Sequence, residues 1–159
     1  MNIFFLDRNL ELNSKYHFDK HVVKMCVEYA QILSTATHIL IPNNNFEIYK
    51  ITHINHPCVR WAAESELHFK MVLFLLYHLG IEFEYRFGHT HKSVGILKKI
   101  PSKINFKFTK WLRDPPLAMP PQFHTSSVID SYRKYYKYGK NQNLHSWTKR
   151  DIPDWWSNI

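Results

Sequence analysis

The amino-acid sequence predicts a mainly α-helical fold, a single compact domain over residues 1–159 with a short extended N-terminal segment and a Pro-rich loop. Three observations carry that prediction. Val22, Cys26, Tyr29 and Leu33 recur at helical spacing. The largely apolar run from Pro57 to Leu79 opens on a proline, which at the first helical position forfeits only an N–H that would be unpaired anyway. A chain of 159 residues without repeats or low-complexity linkers suits one sizeable core.

Taken in order, "NIFFL" (2–6) is an extended apolar start and "DRNLELNSK" (7–15) is turn-prone. A helix begins at Ser14 or Asp19 and runs to about Leu40, and "IPNNN" (41–45) marks a loop. The helix opened by Pro57 continues to about Leu79. Gly80 interrupts it, and "IEFEYRF" continues as helix up to a stop at Gly88. "HTHKSVGILKKI" reads as a short basic helix, and most of the eight prolines fall in the loop that follows, around "DPPLAMPPQF". Ser126 or Ser127 caps a last helix, "VIDSYRKYYKYGK".

Composition narrows the functional classes. A net charge of +8 and eleven histidines, which a polyanion can protonate, favour a nucleic acid as partner. An aromatic share of 16% exceeds what a core of this size needs, so some rings belong at a surface. Cys26 and Cys58 have no C-x-x-C spacing, which argues against a disulfide framework and for a reducing, cytoplasmic compartment. The longest apolar run, Met71–Ile81, is too short to span a bilayer, and no signal peptide is expected.

Several clusters carry candidate chemistry. On the first long helix His17, His21, Lys24 and Glu28 fall in one stripe, with Lys20 flanking it and Asp19 at its head. Such a face offers a carboxylate to activate water, a lysine to attack an electrophilic carbon and histidines to hold phosphates. A solvated face with one Lys24–Glu28 pair is the plainer alternative. His53 and His56 stand at the mouth of the second helix with Arg60 one turn inside, where unpaired N–H groups favour an anion. Arg86, His89, His91 and Lys92 surround a glycine and suit phosphate. Arg133, Lys134, Lys137 and Lys140 interleave with Tyr132, Tyr135, Tyr136 and Tyr138, a pattern for stacking on bases while cations follow a backbone. The pairs His17/His21, His53/His56 and His89/His91 have spacings a metal could use, but H-E-x-x-H is absent and no metal is expected. Four unclustered glycines build no phosphate cradle, so no nucleotide cofactor is expected, and no G-x-S-x-G elbow is present.

The strings "MNIFFLD", "YHFDKHVVKM", "THINHPCVRWAAES", "EYRFGHTHKS", "AMP" and "YRKYY" together resemble a family of small proteins of large DNA phages and other DNA viruses, over essentially the whole chain. That resemblance implies viral DNA metabolism inside a host cell and no particular chemistry. In layout, though not by a matching motif, the chain is also similar to the pyrimidine-dimer glycosylases of the endonuclease V type. The likeness lies in an extended start leading into a charged helix, a long central helix after a histidine-bearing loop, and an aromatic-basic C-terminal stretch. It implies an N-terminal active site where a carboxylate of the first helix assists and the α-amine of the second residue, exposed by removal of Met1, attacks a flipped nucleotide. Position 2 here is Asn, before which the initiator Met is retained, so Lys20 or Lys24 would take over the amine's part. Otherwise Glu28 or Asp19 would activate water.

The expectation is a DNA-acting enzyme, a base-excising glycosylase with or without lyase activity. A non-enzymatic nucleic-acid binder or anti-defence protein is the alternative from another class, and a nucleotide hydrolase or transferase is a third. Convergence of His21, Lys24 and Glu28 with His56 and Arg86 in one concavity favours an enzyme.

Overall fold

A computed structural model of the chain describes residues 1–141, 143 and 145–159. Among the described residues five α-helices form one mainly helical body: α1 (Leu10–Tyr16), α2 (Asp19–Leu40), α3 (Pro57–Glu64), α4 (Glu66–Phe87) and α5 (Val128–Tyr138). Short 3-10 turns cover Lys92–Lys98, Pro121–Phe123 and Asp154–Trp156. No strand occurs among the described residues.

The extended start behaves as expected but lies deep. Ile3, Phe4, Phe5 and Leu6 are all buried, and the chain is turned into α1 by Asn13, whose Oδ1 accepts from Leu6 N–H (2.6 Å) and Asp7 N–H (3.2 Å). The segment read as turn-prone is instead a seven-residue helix. Asn9 caps it by accepting from the N–H groups of Glu11 and Leu12, and Lys15 pairs with Glu11 at 2.6 Å. Seven residues give too short a window for periodicity, which is why the turn-forming Asn and Ser dominated the sequence signal.

α2 is the spine. Val22, Met25, Cys26, Tyr29, Ile32, Leu33 and Ala36 form its buried face, and it packs on both α3 and α4. The anticipated Pro57–Leu79 helix is two helices. The break falls at Ser65, which is extended (φ −140°, ψ 145°), and not at Gly80, through which α4 runs intact. Ser65 Oγ accepts from Leu67 N–H at 3.3 Å and donates to Trp111 O, while Glu66 N–H donates to Phe108 O at 2.9 Å. An incoming loop strand therefore replaces the helical hydrogen bonds that α3 gives up. Gly80 is accommodated because Val94, on the 92–98 turn, fills the space a Cβ would need. Gly88 ends α4 in the left-handed region (φ 77°), its N–H donating to Glu84 O.

Both cysteines are free and buried, and burial pushes each thiol up to about 12. Among the described residues no helix is long and apolar enough to cross a membrane.

Candidate functional site

The most distinctive polar arrangement centres on Glu28. Its residue exposure is 8%, yet its carboxylate faces an amide and two amines. Asn2 N–H donates to Oε2 at 2.8 Å, the Met1 α-ammonium lies 3.8 Å from the same oxygen, and Lys24 Nζ lies 3.3 Å from Oε1. The N-terminal segment reaches Glu28 because Asn2 is gripped from three sides. Asn2 Nδ2–H donates to Ala118 O (2.9 Å), Asn2 Oδ1 accepts from Ile3 N–H (2.8 Å), and the Tyr132 hydroxyl lies 3.0 Å from Oδ1 and 2.5 Å from Pro116 O. The Pro-rich loop and α5 thus clamp the start of the chain onto α2.

His56 borders this centre. A tight turn delivers it, in which His53 adopts φ 48° and its carbonyl accepts from His56 N–H at 2.8 Å. His56 Nδ1 then accepts from Cys58 N–H at 3.2 Å to cap α3. Burial lowers its pKa, and the positive Met1 terminus and His53 add to that shift against the opposing pull of Glu28.

Two turns back along α2 from Glu28 the same face becomes aromatic. Phe4 packs on His21 (ring centroids 4.7 Å) and stacks on Tyr135 (6.0 Å, planes 18° apart), and Phe123 closes on Tyr135 at 5.0 Å. Lys140 Nζ rides 4.3 Å above the Tyr135 ring and 5.0 Å above Phe4. His21 is 5% exposed, and its Nδ1 has no hydrogen-bond partner. Burial above all, with His17, Lys140 and Lys24 adding to it, pushes its pKa down to about 2.

His21, Lys24, Glu28, His56, Tyr135 and Lys140 therefore share one side of the molecule, with Lys20 exposed beside them on α2 and Arg60 exposed beyond His56 on α3. Other residues of the expected site lie elsewhere. Arg86 is buried in an ionic knot at the α1–α2 junction, donating to Glu82 Oε1 (2.6 Å), Asp19 Oδ1 (3.0 Å), His17 O (2.8 Å) and Lys15 O (2.9 Å). Asp19 also accepts from Ser146 and Thr148, tying the C-terminal segment to the start of α2. Burial works to raise the Asp19 pKa, but these hydrogen bonds outweigh it and hold the carboxyl below its usual value. His17 is fully buried, and burial pushes it down to about 4. Arg133 donates to Leu6 O (2.8 Å) and Asp7 Oδ2 (3.2 Å) and covers Trp155. Lys137 Nζ is held by the carbonyls of Trp156 (2.5 Å) and Ile159 (2.9 Å). His89 and His91 pack edge-on against Phe83 past the end of α4, where Lys92 opens the 3-10 turn.

No family model, curated protein or solved structure matches this chain.

Two expectations change with the geometry. The histidines were expected to add positive charge, but burial lowers the pKa of His17, His21, His56 and His91 and favours the neutral form of these four. Asn2 and Phe4 were read only as extended chain, yet they position the α-amine and build the aromatic platform. Their signal lay in pairs more than 100 residues apart, such as Asn2–Tyr132. Among the described residues no group of three or more His, Cys, Asp or Glu is placed to hold a metal.

Proposed function

We propose that the protein is a base-excising DNA glycosylase in which Glu28 is the catalytic carboxylate. The observation that carries this reading is the buried Glu28 carboxylate with two primary amines on it, Lys24 Nζ at 3.3 Å and the Met1 amine at 3.8 Å. Excision at C1′ of a nucleotide needs a nucleophile on the sugar and a group that accepts and returns protons, and here both kinds of group are in reach of each other. An amine that attacks C1′ forms the new C–N bond as the glycosidic bond breaks, and the departing base leaves with that electron pair and takes up a proton. Glu28 accepts the proton the amine sheds and returns it to O4′ as the sugar ring opens to the iminium. In the variant without a covalent intermediate, Glu28 takes the proton from water, which adds to C1′ instead.

The surroundings supply what a polyanionic substrate needs. Lys20 and Lys24 on α2, Arg60 on α3 and Lys140 are cations around Glu28, and the half-buried Tyr135 ring beside Lys140 is one on which a displaced base can stack.

The test is incubation with duplexes carrying a pyrimidine dimer, uracil or an alkylated base, with and without borohydride. Abasic product with a trapped adduct establishes the amine route, and mass spectrometry of the digested adduct assigns it to Met1 or Lys24. Abasic product alone establishes water as nucleophile. No product on any duplex, together with binding that weakens steeply with salt, replaces the glycosylase by a non-enzymatic binder.

A further inference from the structure

A cavity of about 460 Å³ opens one helical turn beyond His56, between α3 and the loop over 107–116. Its volume lies in the range of about 300–1,000 Å³ usual for small-ligand sites. Arg60, Trp61 and Glu64 form one wall and Lys107, Phe108 and Arg113 the other. The charge is unbalanced. Arg113 pairs with Glu64 at 2.6 Å, whereas Arg60 and Lys107 have no acidic partner among the described residues. Trp61 is 1% exposed, and its indole N–H is without a hydrogen-bond partner. An orphaned buried donor is costly unless something accepts from it.

The walls are held before any ligand arrives. His68 stacks on Trp61 (ring centroids 4.3 Å, planes 14° apart), its Nδ1 lies 2.9 Å from Trp61 O, and its Nε2 accepts from Arg113 N–H at 3.0 Å. Those two bonds together fix the neutral Nδ1–H tautomer, in keeping with the lowering of its pKa by burial. The bonds from Ser65 Oγ to Trp111 O and from Glu66 N–H to Phe108 O pin the opposite wall to the head of α4. One small side chain, His68, thus couples both sides of the cavity.

We infer that this cavity binds a nucleoside monophosphate unit, with the phosphate on Arg60 and Lys107 and the flat base against the aromatic wall. Unpaired cations call for an anion, and the apolar, ring-bearing lining calls for a planar group attached to it. The unit is either a free nucleotide or one nucleotide of a strand that passes along α2 and α3. The inference does not rest on base excision, because nothing in the cavity has to react.

Nitrogen-15 NMR of the whole protein tests it through the assigned indole N–H signal of Trp61, titrated with dTMP, with inorganic phosphate and with single-stranded (dT)6. The expected result is a saturable shift with dTMP or (dT)6 at concentrations where phosphate has little effect, weakened at least tenfold in the Arg60→Ala/Lys107→Ala double variant. Both side chains are solvent-exposed, so the variant keeps the fold, and its unshifted spectrum verifies that. If the site serves a strand, (dT)6 binds tighter than dTMP and the double variant lowers its log–log salt slope by about 1.4. If it serves free nucleotide, dTMP binds at least as well as (dT)6. A Trp61 signal unmoved by both, affinity for phosphate equal to that for dTMP, or a double variant that binds like the parent overturns the inference.

Discussion

Glu28→Gln exchanges one carboxylate oxygen for an amide at constant volume, so it separates chemistry from packing. The carbonyl of the introduced amide still accepts from Asn2 N–H, and the stability loss is expected to stay within about 1.5–3 kcal/mol. The excision rate is expected to fall about 10²–10⁴-fold, measured under single-turnover conditions, and a parental rate would remove Glu28 from the chemistry. A second residue-scale effect concerns acid. Unfolded histidines protonate near pH 6.5, whereas burial pushes folded His17 down to about 4 and His21 down to about 2. The unfolded chain therefore binds the extra protons. The contribution of these two rings to stability is complete above pH 6.5 and is lost as pH falls, by about 1.4 kcal/mol per pH unit for each. Urea midpoints at pH 7, 6 and 5 should decline accordingly, and His21→Phe, which keeps a ring in the aromatic box, should remove one ring's share of the slope, about 1.4 kcal/mol per pH unit. An unaltered slope in that variant would assign the acid sensitivity to other groups. Sequence spacing did identify Lys24 and Glu28 as neighbours, since i, i+4 geometry is local. That His17 and Arg86 are sealed inside a knot was illegible, because their partners, Glu82 and Asp19 among them, come together only in the folded chain.

Between elements, the contrast of Ser65 and Gly80 shows where local rules yield. Ala-Ala-Glu-Ser-Glu-Leu favours continuing a helix, and Ser65 has no Glu or Gln three residues on to mark a capping box. The break exists because the loop at 108–111 supplies alternative partners, a tertiary fact. Conversely, Gly80 looks like an interruption and is a docking notch. A Cβ there would sit 2.7 Å from Val94 Cγ2. Gly80→Ala is expected to cost about 1–3 kcal/mol through that overlap. Adding Val94→Ala should return part of the loss, giving a coupling of at least about 0.5 kcal/mol in a denaturation double-mutant cycle. Strict additivity would mean that the 92–98 turn moves aside freely. The clearest elements in the sequence, α2 and α5, were legible because one has a long unbroken stripe and the other a serine cap directly before its first turn.

For the whole molecule, the charge of +8 is divided between working and structural cations. Arg86, Arg133 and Arg150 are committed to carboxylates, and Lys137 to backbone carbonyls. Composition alone counts all of them toward a nucleic acid. Among the described residues Lys20, Arg60 and Lys140 have no acidic partner, and Lys24 is paired with Glu28 itself. With a lesion-bearing duplex, Lys20→Ala and Lys140→Ala should each lower the salt slope of binding by about 1, and Lys137→Ala should leave it unchanged. Equal losses from all three would mean that the strand takes another route. The all-helical class and the unity of the domain were readable at this scale because they follow from periodicity and length. The position of the candidate site was readable only in part, since one of its walls is the beginning of the chain and another is the Pro-rich loop.

That joining of chain start to distant partners also sets an order of events. Residue 2 closes on residues 118 and 132, and Phe18 N–H donates to the hydroxyl of Tyr136. α2, α3 and α4 lie close in sequence and can pair early, at small loop-closure cost. The first six residues find partners on α1 and α2 as well, in Asn13, His21 and Glu28, but the clamp on Asn2 closes only when α5 has formed. During synthesis the start of the chain can therefore settle on α2 early yet stays half-covered until nearly the last helix has left the ribosome, and the clamp that completes the Glu28 centre closes only then.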